Sequence, residues 1–278
     1  MKTACIQMDS GTDIKANIDH CCELVTKAVR DYGVHFVVTP ENTDFVRGAY
    51  ADMFAGALSY EDHFGISRFA ELAKDLNIWL QIGSMTIKNQ SSSLSNRSFF
   101  FDPEGQIVAT YDKIHMFEVT LDNGESYREA DAFAAGDRAV VINTPWAGVG
   151  LSTCYDIRFP HLYRELAHHG AQVITVPSAF TVKTGQAHWE VLLRARAIEN
   201  GCYIVAAGQG GMHDGEKKTY GHSMIVGPWG DILVQADDIG AGIIVADLDL
   251  DTVTQVRRSI NSLEHDRDYT VDVYGELS

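Results

Sequence analysis

The chain has 278 residues, 45% of them hydrophobic, which is enough to bury a sizeable core and excludes a disordered chain. A formal net charge of −16 excludes nucleic acid and anionic membrane as the main partner, because both are bound through basic faces. No apolar run reaches the roughly 20 residues of a membrane-spanning helix. The N-terminal Met1-Lys2-Thr3-Ala4-Cys5-Ile6-Gln7-Met8 reads as a short strand rather than a signal peptide. Together with five cysteines, an odd number in no framework spacing, this points to the reducing cytoplasm.

In chain order, the pattern predicts a strand over Thr3–Met8, a helix over Asn17–Arg30 and a buried strand over Val34–Thr39. A helix over His63–Leu76 follows, then strands over Ile78–Thr86, Arg97–Phe101 and Ile107–Thr110. The second half repeats the alternation, with strands at Val140–Asn143 and Val149–Thr153, a helix at His161–His169, a strand at Gln172–Val176 and a helix at Ala187–Glu199. Strands at Cys202–Ala207, Ser223–Val226, Ile232–Gln235 and Ile243–Asp247 precede a short helix over Leu250–Arg257. The turns Asp102-Pro103-Glu104-Gly105 and Gly227-Pro228-Trp229-Gly230-Asp231 join paired strands. Strands alternating with helices and hairpins imply a mixed α/β protein, with one large domain or two smaller ones.

Chemistry concentrates at three places. Cys154 closes an apolar run, Val149-Gly150-Leu151-Ser152-Thr153-Cys154, and precedes a sharp turn into a helix. A thiol held there is placed as a nucleophile, and the next backbone N–H, that of Tyr155, can face the oxygen of an attacked carbonyl. Val34 to Val38 leads through Thr39-Pro40 to Glu41, a carboxylate that burial would raise toward neutrality and suit to a general base. Lys113 follows the strand at Ile107–Thr110 and supplies a compact cation for a developing oxyanion. The other cysteines read as packing: Cys5 and Cys202 lie in apolar runs, and Cys21-Cys22 fill a helix face. His168-His169 cannot share one helix face, and His188, His213 and His222 lack ligand spacing, so no metal site and no cofactor are expected.

In that order and spacing, Pro40-Glu41-Asn42, Asp112-Lys113-Ile114-His115-Met116-Phe117 and Cys154-Tyr155-Asp156-Ile157-Arg158-Phe159-Pro160 resemble the nitrilase (carbon–nitrogen hydrolase) superfamily with its Glu-Lys-Cys triad. The resemblance runs from about Lys2 to Tyr269. It implies a four-layer α-β-β-α sandwich, a single domain over residues 1–270 with a tail at 271–278, and amide hydrolysis through a thioester. It further implies Glu129 as a fourth site carboxylate, although the family's Glu-Ser is Glu129-Ala130 here and Glu125 competes for the place. The family's acid after Arg-Phe-Pro is His161.

The segment from Pro177 to Glu199, with Tyr220-Gly221-His222-Ser223-Met224, looks most like the deaminated glutathione amidase branch, with the ω-amidases next. In related amidases Arg158, Phe180 and Thr184 match residues of the acyl pocket, and a guanidinium can grip a carboxylate bidentately. A structural salt bridge of Arg158 with Asp156 or with a helix acid is the competing reading. The partners expected are a small amide substrate and water, with ω-amidase, N-carbamoyl amidohydrolase or nitrilase activity as alternatives and a non-catalytic scaffold as a further one. Relatives pair through the helices after Cys154 and at Ala187–Glu199, so a homodimer or larger oligomer is expected, with Tyr163 and Arg194 near its axis. Val191, Leu192, Ala195 and Ile198 are expected to pack as one stripe.

Overall fold

The computed structural model describes residues 1–47, 50–90, 93–120, 126–215, 217–237 and 239–275. Among them the long strands form two sheets. The first runs, in spatial order, Gly242–Asp247, Lys2–Gln7, Phe36–Val38, Trp79–Lys88, Leu94–Phe101 and Ile107–Asp112, with Leu58–Ser59 pairing beside Trp79–Lys88. The second runs Ile232–Gln235, Met224–Val226, Tyr203–Ala206, Ala171–Thr175, Gly148–Leu151 and Val140–Asn143. Both sheets are mixed: Lys2–Gln7 pairs parallel with Phe36–Val38 but antiparallel with Gly242–Asp247.

Period-two alternation of apolar side chains makes the layers. Cys5, Phe36, Val38 and Phe100 of the first sheet face Val149, Leu151, Val173, Val205 and Ile225 of the second, forming the central core between the sheets. Their sequence neighbours turn outward. Ala4, Ile6, Val37, Phe99 and Phe101 pack under the helices Ile14–Tyr32 and Phe64–Leu76. Ile174, Ile204 and Val226 pack under the helices Pro160–His168 and Val182–Asn200. The result is the four-layer α-β-β-α sandwich. Each fully buried large side chain in these layers stabilises the fold by about 1.5–3 kcal/mol before entropy is counted.

The helices have identifiable ends. Asp13 caps Ile14–Tyr32 by accepting from the Ala16 amide at 3.0 Å, and Gly33, at φ 64°, supplies the left-handed exit. Cys21 and Cys22 both lie buried on this helix, and Cys5 and Cys202 are likewise core. The helix predicted at Ala187–Glu199 begins earlier and spans Val182–Asn200. Its buried face is Trp189, Leu193, Arg196, Ala197 and Asn200, so the predicted packing stripe is displaced. Val191 and Ile198 point outward, 67% and 51% exposed. Tyr163, expected near a surface axis, is fully buried and hydrogen-bonds to the Ser152 hydroxyl at 2.7 Å, because its ring faces the sheet. Three local features escaped the sequence pattern: the helix Tyr50–Gly56, the ribbon pairing Glu118–Thr120 with Ser126–Arg128, and the ribbon pairing Gly210–His213 with Lys217–Tyr220.

Candidate active site

The two sheets bring their loops together at one end, and Gly83 marks how closely. A Cβ at this position would lie 2.0 Å from the Thr39 carbonyl oxygen and 2.4 Å from Pro177 Cβ, so only glycine fits between the loop after Phe36–Val38 and the loop after Ala171–Thr175. The first of these loops carries Glu41. Its turn is fixed by bonds from Thr39 N to Gln81 O, from Asn42 N to Ser84 Oγ, and from the Gln209 side-chain amide to the carbonyls of Glu41 and Asn42. The second loop accepts the Cys154 amide at Pro177 O, 2.8 Å away.

Cys154 opens a 3-10 turn, Cys154–Arg158, with φ of 50°, a left-handed conformation that a side-chain-bearing residue holds only when its surroundings impose it. Asp156 imposes it. Its fully buried carboxylate accepts from the Thr153 amide at 2.8 Å, the Tyr111 hydroxyl at 2.6 Å and the His115 amide at 3.0 Å, with His115 Nδ1 2.7 Å away. Pro160 then starts the following helix in its first turn, where a missing N–H is harmless.

Lys113 leaves the end of strand Ile107–Asp112 and is anchored by its own amide on Asn96 O and its carbonyl under Gly136 N. Its ammonium lies 2.9 Å from Glu41 Oε1 and 2.8 Å from Glu129 Oε2, with all three side chains buried. Glu129, at the start of the 3-10 turn Glu129–Asp131, also accepts from the Phe117 amide at 2.7 Å. Glu125 lies outside the described residues.

Glu41 is the most heavily served carboxylate. Oε1 accepts from Lys113 and, at 2.8 Å, from Asn96; Oε2 accepts from the Ala179 amide at 2.8 Å. The Cys154 thiol also lies near enough to act on it. Burial works to raise its pKa, but the Lys113 charge and these hydrogen bonds outweigh burial and hold it below the usual carboxylate range. This reverses the expectation that burial alone would lift Glu41 toward neutrality. Burial and the neighbouring Glu41 charge push the Cys154 thiol well up, against the pull of Lys113. Burial tends to lower the Lys113 pKa, yet Glu129 and Glu41 hold it well above the ordinary lysine value. The resting arrangement is therefore a neutral thiol near an ionised carboxylate, beside an ammonium fixed between two carboxylates.

All eight residues singled out from the sequence line one cavity, with Glu41, Lys113, Glu129 and Cys154 on its floor and Tyr155, Arg158, Phe180 and Thr184 on its wall. Arg158 does not pair with Asp156. Its Nη2 contacts His188 Nδ1 at 3.2 Å, and its guanidinium lies over the rings of Tyr155 and Phe180. Phe180 is braced by Trp189 at 5.0 Å between ring centroids, and Thr184 hydrogen-bonds to Thr181 at 2.8 Å.

The carbon–nitrogen hydrolase family matches residues 2–258 of this sequence. The chain belongs to that family. Its relatives include the deaminated glutathione amidase of Yersinia enterocolitica, 37% identical over 95% of this chain and 92% of that protein. The probable hydrolase nit2 of Schizosaccharomyces pombe is 39% identical over 92% of this chain and 94% of its own length. Among solved structures, the C. elegans NitFhit protein superposes with a TM-score of 0.87 at 34% identity, covering 96% of this chain, which spans 65% of that longer protein. An amidase from Nesterenkonia sp. AN1 gives a TM-score of 0.79 at 26% identity, covering 94% of this chain and 98% of that one; a variant of it carries acrylamide added at its active-site cysteine.

In this carbon–nitrogen hydrolase the sequence reading passed over three polar residues of the site. Asn96 spans both carboxylates, 2.8 Å from Glu41 and 3.3 Å from Glu129. It sits inside a strand of ordinary pattern, where nothing local marks it. Asp156 was legible as part of a motif and as a candidate partner of Arg158, not as the hub of the turn that holds Cys154. Lys217 lines the cavity from a ribbon that gave no strand signal, because Gly210 and Gly211 start one arm and Lys217-Lys218 the other.

Proposed function

We propose that this carbon–nitrogen hydrolase is an amidase that uses Cys154 as nucleophile on a small carboxylated amide, with deaminated glutathione as the leading substrate. One observation carries the reading: a thiol, an ionised carboxylate and a fixed ammonium converge on the floor of one cavity. In the mechanism we infer, Cys154 attacks the amide carbon while Glu41 takes the thiol proton. Charge builds on the carbonyl oxygen, where Lys113 and the Tyr155 backbone N–H stabilise it. Glu41 returns the proton to the leaving amine, which departs and leaves a thioester. Glu41 then deprotonates a water that attacks the thioester, releasing the acid and restoring the thiol. Glu129 and Asn96 do not exchange protons in this scheme; they fix the ammonium and the base in register.

The substrate assignment rests on relatives named deaminated glutathione amidase and on Arg158, a cation on the cavity wall whose side-chain partner is His188 instead of an acid. An ω-amidase, carbamoyl or nitrile substrate would use the same floor. A panel of ω-amides, carbamoyl amino acids, nitriles and deaminated glutathione, read for acid and amine release, tests the assignment. Preference for the carboxylated amides supports it, and turnover confined to nitriles or carbamoyl compounds overturns it.

We further infer one domain over residues 1–270, a cytoplasmic location and a homodimer. Five free, buried cysteines suit a reducing compartment. Val191, Ile198 and Trp229 leave an apolar strip on the outer helix layer, with Arg194 beside it, a composition enriched at interfaces. Tyr163 takes no direct part, being buried. Light scattering at micromolar concentration should give twice 30.7 kDa or more; a fully active monomer refutes the pairing.

A further inference from the structure

Lys217 lines the same cavity as Cys154. It begins the strand Lys217–Tyr220, which pairs with Gly210–His213 so that Lys217 stands across from His213. This ribbon is held to the rest of the molecule at several points. His213 Nδ1 is 2.7 Å from the Ser10 carbonyl, which can only accept, so Nδ1 carries the proton and Nε2 accepts from the Thr219 hydroxyl at 2.6 Å. Tyr220 N donates to Phe180 O at 2.9 Å, and Gly210 N to Met8 O at 2.7 Å. The ribbon is thus tied to the cavity wall that carries Phe180, and Lys217 is placed rather than loosely tethered.

Among the described residues Lys217 has no carboxylate within ion-pairing distance, whereas the other cavity lysine has two. Among the described residues, the charged groups lining the cavity are the carboxylates Glu41 and Glu129 and the cations Lys113, Arg158 and Lys217. Two against three leaves an excess of one positive charge, in a protein whose formal charge is −16. Lys113 answers one of the two carboxylates it touches at 2.8 and 2.9 Å, so those three groups carry one net negative charge, while Arg158 and Lys217 are two cations with no paired carboxylate among the described residues. A half-buried ammonium without a paired carboxylate is one that an anionic ligand can complete.

We propose that Lys217 is an anion-recognition residue that takes a carboxylate on the acyl part of the substrate, in the cavity that Arg158 also lines. The proposal rests on the amidase reading and deepens it: the preferred acyl group is one with a carboxylate, and a neutral acyl group leaves Lys217 unanswered. Burial lowers the ammonium's pKa, and the attraction of Glu41, Glu129 and Cys154 only partly offsets it, as for a cation waiting for a counter-charge. Lys217 touches neither the base nor the thiol through any hydrogen bond among the described residues, which separates its role from that of Lys113.

The test uses two thiol reagents of nearly equal size that differ in charge. Iodoacetate and iodoacetamide both form an S–C bond at Cys154 and expel iodide, and the thiol proton goes to Glu41. Rates of Cys154 modification, read by peptide mass spectrometry, are compared as the ratio of iodoacetate to iodoacetamide within each protein, which cancels changes in the thiol's own reactivity. Lys217→Met and Lys217→Gln should each lower the ratio by about tenfold, the size of one hydrogen-bonded charge contact, and Lys217→Arg should keep most of it. A ratio unchanged in Met and Gln variants whose Cys154 still reacts with iodoacetamide overturns the role of Lys217 and leaves the nucleophile assignment standing. A wild-type Cys154 inert to both reagents overturns the amidase reading itself and this proposal with it.

Discussion

Floor and wall of the cavity treat charge in opposite ways. On the floor, Lys113 is fixed between Glu41 and Glu129, Asn96 bridges the same two carboxylates, and every charged group has a partner inside 3 Å. On the wall, Arg158 meets only a histidine nitrogen and two ring faces, and Lys217 meets no acid among the described residues. The two lysines make the contrast plain: in one cavity, paired carboxylates raise the pKa of Lys113 over the cost of burial, while burial prevails at Lys217. Charges that are satisfied before substrate arrives serve the bond-making steps, since they must be in place at the moment of reaction. Charges left unsatisfied serve recognition, since the ligand completes them.

The largest effects should come from breaking the floor. Cys154→Ala, Glu41→Gln and Lys113→Ala should each lower kcat/KM by several orders of magnitude, with double variants little worse than singles, because the groups act as one unit. Cys154→Ala should keep the wild-type melting transition within a few degrees, as the side chain loses one sulfur at a strand end. A Cys154→Ala protein retaining more than a few per cent of activity would refute the nucleophile assignment.

The floor also sets a pH signature. Glu41 is held below its ordinary value of 4.5, so the ionised base persists into mild acid and the acid limb of Cys154 alkylation by iodoacetamide should lie below that value in the wild type. Lys113→Met removes the charge that most strongly lowers the Glu41 pKa, so the folded-state pKa rises and the limb should move to higher pH. A limb that moves down or stays fixed in Lys113→Met would break the coupling described for the floor.

The floor was legible in the sequence and the wall only in part, for a physical reason. Glu41, Lys113 and Cys154 each follow a strand of strong period-two or continuous apolar pattern, so the chain itself announces where the strand ends and the side chain must face the loops. The sheets were legible on the same ground, strand by strand, with boundaries shifted by one to three residues. Lys217 and Asn96 carry no such mark: one sits on a glycine-rich ribbon held by tertiary bonds to Ser10, Met8 and Phe180, the other inside a long strand. The outer face of Val182–Asn200 misled for a related reason. This helix has apolar residues on two sides, and periodicity alone cannot say which side meets the sheet; the bulk of Trp189 and Leu193 decides it. Tyr163 was placed near a surface axis by the resemblance alone, and its hydroxyl meets Ser152 within the core.

The smallest predicted effect falls on the wall. Arg158→Lys keeps a positive charge but loses the planar fork and the stacking over Tyr155 and Phe180. Because Arg158 makes no ion pair with Asp156, whose oxygens are taken by Thr153, Tyr111 and His115, the change leaves the nucleophile turn intact. The loss should therefore appear in recognition: KM for a carboxylated amide should rise about tenfold, the cost of one charge-assisted hydrogen bond, with kcat changed little. A neutral amide of the same length should be hydrolysed about as well as by the wild type, which makes the pair of substrates the control. Equal losses on both substrates would mean that Arg158 braces the wall through its ring contacts rather than reading the substrate's charge, and the division between floor and wall would then hold only for Lys217.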